Sequence, residues 1–260
     1  MDNHKKNKVK TEILQAITRQ ELQNVDAFHT EMETVDGLKV VINNPESFKN
    51  LISPENSRLP IALFISGTSE SGKSTFGKLA VEAKIGHRLK IYATLADIRD
   101  EVAPNSEKTS YDYATSLEAD SDLSGKVAEE ILDKYKKLMS ETDVPIIVVE
   151  TIKHQWMVDN FKTATDIRFL SIFIDADLEK RIERESTKTG KPMEKVRAEV
   201  LGKDEWKREL GTGSIDKLAD VHIVNNGSFE TYKTLVVSLL EAFRENSNNY
   251  SGITHDYTPL

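Results

Sequence analysis

Nine consecutive residues have the types and the spacing needed to bind phosphate groups. They are Gly67, Thr68, Ser69, Glu70, Ser71, Gly72, Lys73, Ser74 and Thr75, which fit the pattern G-x-x-x-x-G-K-[ST]. The glycines let backbone N–H groups turn inward around a polyphosphate, and a following helix adds partial positive charge at its N-terminus. We expect Lys73 to reach the β- and γ-phosphates of a nucleotide and the Ser74 hydroxyl to hold Mg²⁺.

The chain on either side of this loop has the pattern that a phosphate-binding loop requires. Residues 60–66 form a short apolar run, typical of a strand that is buried on both faces. After the loop, Phe76, Leu79, Ala80 and Ala83 recur at helical spacing. Strand, loop and helix therefore follow in the required order, which favours nucleoside triphosphate binding over a chance glycine turn.

Two carboxylates follow other predicted strands. Glu150 ends the apolar run 144–150 and could hold Mg²⁺ through water or orient a nucleophile. The alternative is an ordinary strand-end residue, but the buried run before it favours a place in the site. Asp97 follows the predicted strand 88–93 and could take a proton from a hydroxyl acceptor. A helix N-terminal carboxylate explains Asp97 equally well.

Several cations are candidates for contact with transferred or accepted groups. Arg184 and Arg181 lie one turn apart on a predicted helix, where they could neutralise charge on the transferred phosphoryl group. Pairing with neighbouring acids on a solvated helix is the alternative. Lys153 and His154 follow the strand that ends at residue 150 and could contact an anionic acceptor. Three further arginines are candidates for the same contact: Arg88, Arg99 and Arg168.

A turn of small polar residues, 225–228, follows the last predicted strand. Its backbone could wrap an adenine ring, with Asn226 among the nucleotide-binding residues, and it would also serve as a tight turn with a helix cap. The N-K-x-D pattern that reads guanine is absent, so we expect ATP. We predict that Trp156 and Trp206 pack within the protein.

Apolar runs alternate with amphipathic segments from residue 60 to residue 245. The predicted strands are residues 60–66, 88–93, 144–150, 168–174 and 220–224. The predicted helices include 125–139, a charged region 178–210 interrupted at 190–192, and a last helix from 228. This alternation predicts an α/β fold, in which a parallel sheet is covered on both faces and binds ligands at the carboxyl ends of its strands.

The composition narrows the classes of function. The chain has 260 residues, of which 38% are hydrophobic and 30% charged, as in one soluble globular domain with a small appendage. A net charge of -8 disfavours general nucleic-acid binding. The absence of cysteine excludes disulfides and thiolate metal sites. With no apolar run of membrane-spanning length and no signal-peptide core, we expect a cytoplasmic protein without a membrane partner.

Over about residues 60–245 the chain resembles P-loop small-molecule kinases of the adenylate kinase and dephospho-CoA kinase group. The loop 67–75 is shared by many families, but the C-terminal half is more specific. Residues 148–153 resemble the Asp-Gly-Ile-Arg stretch of an archaeal adenylate-kinase-like family, with Glu150 in place of the aspartate. Residues 203–211 and 219–228 resemble the lid and last strand of both that archaeal family and dephospho-CoA kinases. The resemblance implies a three-layer P-loop kinase fold, with a five-stranded parallel sheet, helices on both faces and a helical lid.

Three parts of the chain follow from these patterns. Residues 1–58 are predicted to form a helix-strand-helix extension, with a helix at 11–28, a strand at 37–44 and a helix at 45–52. It could cap the sheet or mediate self-association, for example as a homodimer. Residues 59–245 form the predicted kinase domain, with a lid at about 178–212, and residues 246–260 a flexible tail.

We expect an ATP- and Mg²⁺-dependent phosphotransferase that acts on a nucleotide or nucleotide-like small molecule. Its predicted catalytic residues are Lys73, Arg184, Asp97 and Glu150, and its predicted metal ligands are Ser74 and Glu150. Two alternatives are dephospho-CoA kinase proper and a non-kinase regulatory ATP-binding or ATPase module that signals to a partner. A kinase-like protein that binds ATP without transferring phosphate is a third. The sequence does not identify the acceptor.

Overall fold

A mixed β-sheet lies at the centre of the protein in a computed structural model. The structure describes residues 30–33, 37–52, 59–102, 107–141, 144–164, 166–245 and 247. Its strands are β1 (Thr30–Glu33), β2 (Leu38–Ile42), β3 (Ile61–Gly67), β4 (Gly86–Lys90), β5 (Ile146–Glu150), β6 (Arg168–Asp175) and β7 (Val221–Asn225). Across the sheet they follow the order β1-β2-β7-β6-β3-β5-β4.

Five neighbouring strands, β7-β6-β3-β5-β4, run parallel, with β3 in the centre. The predicted α/β fold with a parallel sheet is therefore confirmed. The predicted number of strands is too low, because β2 pairs antiparallel with β7 and β1 pairs antiparallel with β2. The sequence pattern of residues 37–44 indicated a strand, but a strand pattern does not say which sheet edge it joins.

Helices cover both faces of the sheet. They are α1 (Pro45–Ile52), α2 (Lys73–Glu82), α3 (Ile91–Val102), α4 (Ser110–Ser116), α5 (Ser121–Ser140), α6 (Gln155–Lys162), α7 (Leu178–Thr189), α8 (Met193–Glu209), α9 (Thr212–Leu218) and α10 (Phe229–Glu245). One apolar cluster packs α1, α2 and α10 on one face, and a second packs α3 to α6 on the other. No helix in the described part of the chain is long and apolar enough to cross a membrane.

The strand predicted at residues 88–93 ends earlier than expected, because β4 stops at Lys90 and α3 begins at Ile91. Ile91, Leu95 and Ile98 are fully buried beneath the sheet, a helical spacing that the apolar run concealed. Short apolar runs do not distinguish a strand from the first turn of a buried helix.

The strand and second helix predicted in the N-terminal extension are present as β2 and α1. The ring of Phe48 in α1 lies 5.5 Å from that of Phe243 in α10, so α1 packs onto the same core as the last helix. The predicted helix 11–28 and nearly all of the predicted tail lie outside the described residues. The domain boundaries at residues 58 and 245, the lid limits and self-association stay predictions.

Candidate functional site

The two glycines of the loop are required by its backbone geometry. Gly67, the last residue of β3, has φ +135°, and a Cβ added there would lie 1.9 Å from the carbonyl oxygen of Ile174. Gly72, with φ +113°, comes directly before the first residue of α2. Neither conformation suits a residue with a side chain, so the motif glycines shape the turn from β3 into the helix.

The loop is held from the strands on one side of β3. The Thr68 hydroxyl donates to Asp175 at the end of β6 (2.7 Å). From the end of β7, the Asn225 amide donates to the carbonyl of Ser71 (2.8 Å). The Tyr232 hydroxyl of α10 donates to the next carbonyl along the loop (3.1 Å). Three hydrogen bonds with residues outside the loop therefore fix the path of its backbone.

The Lys73 side chain is buried against the loop. Its ammonium donates to the carbonyl of Thr68 and to the Ser71 hydroxyl (3.4 Å). Burial, and then the nearby Lys207 ammonium, lower the pKa of Lys73 well below its usual range. Among the described residues no carboxylate lies within ion-pair distance of Lys73. The loop thus holds a cation whose charge is only partly compensated.

A carboxylate from α8 contacts the loop at Ser69. The Ser69 N–H donates to Asp204 (2.7 Å), and Arg181 of α7 donates to both the Ser69 carbonyl (3.1 Å) and Asp204. Burial alone would raise the pKa of Asp204, but the bonds from Arg181 and Ser69 outweigh it and hold that pKa below its usual range. An internal anion therefore occupies one of the amides that the motif offers to phosphate.

Glu70 ties the tip of the loop to α7 and α8. It adopts a left-handed backbone conformation with φ 58°. Its carboxylate lies 3.1 Å from the Lys203 ammonium and 4.0 Å from that of Lys188. These contacts bring the helices predicted as a lid over the loop.

Arg184 and Asn226 meet at the turn that follows β7. Arg184 donates to the carbonyls of Asn225 (2.8 Å) and Gly227 (2.7 Å). The Asn226 side chain accepts from the N–H of Asp177, just before α7 (2.8 Å). The structure thus fastens this turn to α7 from both sides, and Arg184 presents its guanidinium to backbone oxygens.

Glu150 lies beside the loop helix but is fully engaged by an arginine. Its two carboxylate oxygens accept from Arg88 Nε (2.5 Å) and Nη2 (2.9 Å), and its side chain is buried. A Cβ added at Gly77 in α2 would lie 2.0 Å from the same carboxylate. Its predicted role toward Mg²⁺ stays a prediction, and direct coordination of a metal would require the pair with Arg88 to open.

We expect Arg88→Ala to lower the free energy of unfolding by about 3 kcal/mol, because it leaves the buried Glu150 carboxylate without its partner. Chemical denaturation monitored by circular dichroism would measure the change. Arg197→Ala is the matched control, because Arg197 pairs with Glu179 in water and its loss should change stability little. Equal effects of the two variants would contradict a structural role for the buried pair.

One cavity of about 1150 Å³ opens above the loop. Eight of the predicted site residues line it: Ser69, Glu70, Gly72, Lys73, Ser74, Thr75, Arg184 and Asn226. Gly67, Thr68 and Ser71 form the base of the loop, while Asp97 and Glu150 do not line the cavity.

Three of the other predicted candidates, Asp97, Arg99 and Arg168, lie away from this cavity, whereas Lys153 lines it. Asp97 is exposed on α3, and Arg99 pairs with Asp100 (2.6 Å) on the same helix. Arg168 is buried and donates to the carbonyls of Leu51 (2.5 Å) and Leu59 (2.9 and 2.7 Å). Its contacts fasten the start of β6 to the chain that precedes β3. A catalytic role for Asp97 stays a prediction.

Sequence reasoning assigned no role to three residues of α8 that reach the site. They are Lys203, Asp204 and Lys207, at i, i+1 and i+4. It also placed Trp206 in the packed interior, yet this side chain lines the cavity and is 40% exposed. The spacing of these four residues puts them on one side of a helix, but it does not indicate which element they face.

A family model described as an AAA domain matches residues 63–202, more than half of the chain. No curated protein matches the chain in sequence. Similar solved structures include TT1252 from Thermus thermophilus, with 21% identity, a TM-score of 0.45 and coverage of 71% of this chain and 98% of that one. Shikimate kinase from Bacteroides thetaiotaomicron has 14% identity, a TM-score of 0.39 and coverage of 70% and 96%. A gluconokinase from Sinorhizobium meliloti has 16% identity, a TM-score of 0.39 and coverage of 74% and 96%.

Proposed function

We propose, since the chain belongs to the AAA domain family, that it is an ATP- and Mg²⁺-dependent phosphotransferase acting on a nucleotide or nucleotide-like small molecule. The predicted membership of the P-loop superfamily is confirmed, and the family model spans the loop, β5 and most of the helices above the loop. The cavity above the loop is large enough for a nucleotide together with a second small molecule.

The observation that carries this proposal is geometric: Lys73, from the loop, and Lys207, from α8 above it, line the same cavity. Burial lowers the pKa of both, and each lies close enough to affect the other. Among the described residues neither forms an ion pair with a carboxylate. Two partly desolvated like charges are costly, and a triphosphate between them would relieve both. A lysine on the loop and a lysine on the helix above it are what transfer of a γ-phosphoryl group would use.

The residues present fit a nucleotide-bound Mg²⁺. This ion keeps several waters and uses one or two protein oxygens together with phosphate oxygens. Ser74 lines the cavity, on the first turn of α2 next to Lys73, and its hydroxyl would be that protein ligand. When bound, Mg²⁺ would neutralise charge on the β- and γ-phosphate oxygens.

The chain's own residues would bind, orient and enclose the nucleotide. Backbone N–H groups of the loop and the Lys73 ammonium would hold the phosphates, and Lys207 would approach the γ-phosphoryl group from above. Arg184 would keep the turn 225–227 in place beside the adenine ring, through the two carbonyls that it binds. Closure of α7 and α8 over the loop would exclude water, so that phosphate passes to the acceptor.

The test is ADP formation from ATP and Mg²⁺ against a panel of nucleoside monophosphates, nucleosides and dephospho-CoA. We expect one acceptor class to stimulate ADP formation, with the phosphorylated acceptor appearing in equal amount by mass spectrometry. Slow ATP turnover that no acceptor changes would contradict a kinase. It would favour the regulatory ATP-binding module, and nucleotide-dependent capture of a partner would then be the next measurement.

A further inference from the structure

A strand of the N-terminal extension runs along the whole length of β7. This strand, β2, pairs antiparallel with β7, with Leu38 opposite Asn225 and Ile42 opposite Val221. Without β2, β7 would lie nearer the edge of the sheet with a row of unpaired N–H and C=O groups. The turn 225–228, which borders the cavity, follows β7 directly. The extension therefore supports the strand from which this turn projects.

The residue that precedes β2 lies against the turn itself. Gly37 has φ +78°, and a Cβ added there would lie 3.5 Å from the Cβ of Asn226 and 3.8 Å from its carbonyl oxygen. These are ordinary van der Waals distances, so the backbone of Gly37 passes Asn226 with room for little more than a methyl group. A left-handed φ is easy for glycine and costly for most other residues. The approach of the extension to the turn thus depends on a glycine.

The other end of β2 is fixed to the residues that precede β7. The N–H groups of Asn43 and Asn44 both donate to the carbonyl of Asp220 (2.8 and 3.2 Å), and the Asn43 amide donates to the carbonyl of Ala219 (2.9 Å). The Asp220 carboxylate in turn accepts from the N–H of Ser171 in β6 (2.9 Å). β2 is therefore held at both ends of β7, and a shift of β2 along β7 is opposed from both.

The turn connects to the phosphate loop and to α7 from its other side. The Asn225 amide donates to the carbonyl of Ser71 in the loop, and Arg184 donates to the carbonyls of Asn225 and Gly227. Across the sheet β7 lies between β2 and β6. The extension thus supports β7 on the side that faces away from β6 and the loop. A displacement of β2 would move the turn relative to the phosphates that the loop is proposed to hold.

We propose that Gly37 and β2 position the turn 225–228 for the base of the bound nucleotide, so that the N-terminal extension acts on the nucleotide site although none of its described residues lines the cavity. This inference rests on the proposed function, in which the turn lies beside the adenine ring. It gives the extension a role beyond capping the sheet. Gly37 is a positioning residue, because it acts through Asn226.

The base and the phosphates of a nucleotide report on different contacts. Gly37 approaches the turn, at the end of the site where the base is proposed to bind. The phosphates are proposed to bind the loop, which is also held by Asp175 and Tyr232. Loss of the contact at Gly37 should therefore weaken binding of a complete nucleotide and leave binding of its phosphate chain nearly unchanged.

The test compares Gly37→Val with Asn43→Ala in the full chain. A β-branched residue is strongly disfavoured at positive φ, so Gly37→Val should move the start of β2 away from Asn226. Asn43→Ala is the matched control, because it removes the bond to the Ala219 carbonyl at the far end of β2 and leaves the turn untouched. We expect each variant to lower Tm by about 2–6 °C.

Nucleotide binding should distinguish the two variants. We expect Gly37→Val to raise the Kd for a non-hydrolysable ATP analogue with Mg²⁺ by about tenfold in isothermal titration, and the Kd for inorganic tripolyphosphate by less than about twofold. In turnover assays the KM for ATP should rise by a similar factor at nearly constant kcat, since the lost contact is equal in the ground state and the transition state. Asn43→Ala should change none of these quantities.

Hydrogen exchange on the unaltered protein provides a measurement that needs no variant. Coupling between two sites is reciprocal, so a base that is bound at the turn must also stabilise β2. We expect the ATP analogue to slow amide exchange in residues 38–42 and 225–228 more than tripolyphosphate does. Residues 86–90 of β4, at the opposite edge of the sheet, are the internal control and should not differ between the two ligands.

The inference is overturned if Gly37→Val binds the ATP analogue as tightly as Asn43→Ala does, if Gly37→Val weakens tripolyphosphate binding equally, or if the analogue protects β2 no more than tripolyphosphate does. If Gly37→Val does not fold, hydrogen exchange decides. Failure of the inference is distinguishable from failure of the proposed function. Coupling of β2 to the base without phosphate transfer to any acceptor would keep the inference and remove the kinase. Phosphate transfer with the same KM for ATP in both variants would do the reverse.

Discussion

Lys73→Ala is expected to lower kcat for acceptor-dependent ADP formation by about 100-fold or more, because in the proposed function it removes the cation that would contact the transferred phosphate. ATP binding should also weaken, as measured by titration with a fluorescent ATP analogue. The variant should not lose stability. Without nucleotide, burial and Lys207 already disfavour the charge of Lys73, so its removal relieves the free protein.

This combination separates a functional lysine from a structural one. Lys233→Ala removes an exposed lysine on α10, outside the cavity, and should change neither turnover nor thermal stability. A Lys73→Ala protein that binds and turns over ATP at the original rate would show that the loop does not serve as a phosphate site. Unfolding of the variant would point to a structural role instead.

Gly67→Ala is expected to destabilise the protein by about 3 kcal/mol, which for a chain of this size lowers Tm by roughly 6–12 °C. The added methyl group would collide with a backbone carbonyl in β6, which has no room to move because β6 lies between β3 and β7. The positive φ adds backbone strain. Differential scanning calorimetry would measure both the Tm and the enthalpy.

Gly202→Ala is the matched control for Gly67→Ala. Gly202 lies within α8, and nothing is found within 4 Å of a Cβ added there. Alanine in a helix interior is favoured over glycine by about 1 kcal/mol, so this variant should be slightly more stable than the original protein. A Tm for Gly67→Ala that matches the Gly202→Ala value would contradict the tight approach of β3 to β6.

The features that follow from local pattern were predictable. The loop spacing identified the turn after β3, and the apolar runs located the central strands β3, β5 and β6, since a strand buried on both faces must be largely apolar. The positive φ angles of Gly67 and Gly72 were also predictable, because the turn of this motif needs backbone conformations that glycine adopts easily. These inferences need no knowledge of which distant residues meet.

The contacts between distant residues were not predictable from the pattern. Glu150 has the position expected of a metal ligand, but Arg88 engages it from 62 residues away. Asp97 follows β4 as expected, yet the early start of α3 turns it to solvent. Trp206 resembles a packing residue in sequence and instead borders the cavity, since the approach of α8 to α4 decides its surroundings. Each outcome depends on tertiary packing, which one sequence without relatives does not reveal.

The Asp204 carboxylate accepts a hydrogen bond from the Ser69 N–H and would therefore compete with a phosphate for that amide. Any triphosphate that uses the Ser69 N–H displaces a carboxylate tethered to the same molecule, whose local concentration is in the millimolar range or above. Because Asp204 belongs to the same chain, dilution does not lower its local concentration. The apparent Kd for a nucleotide would therefore include the free energy needed to displace Asp204 from the Ser69 N–H. When the phosphate left, the same carboxylate would return to the Ser69 N–H, so the contact between α8 and the loop would re-form without any other molecule.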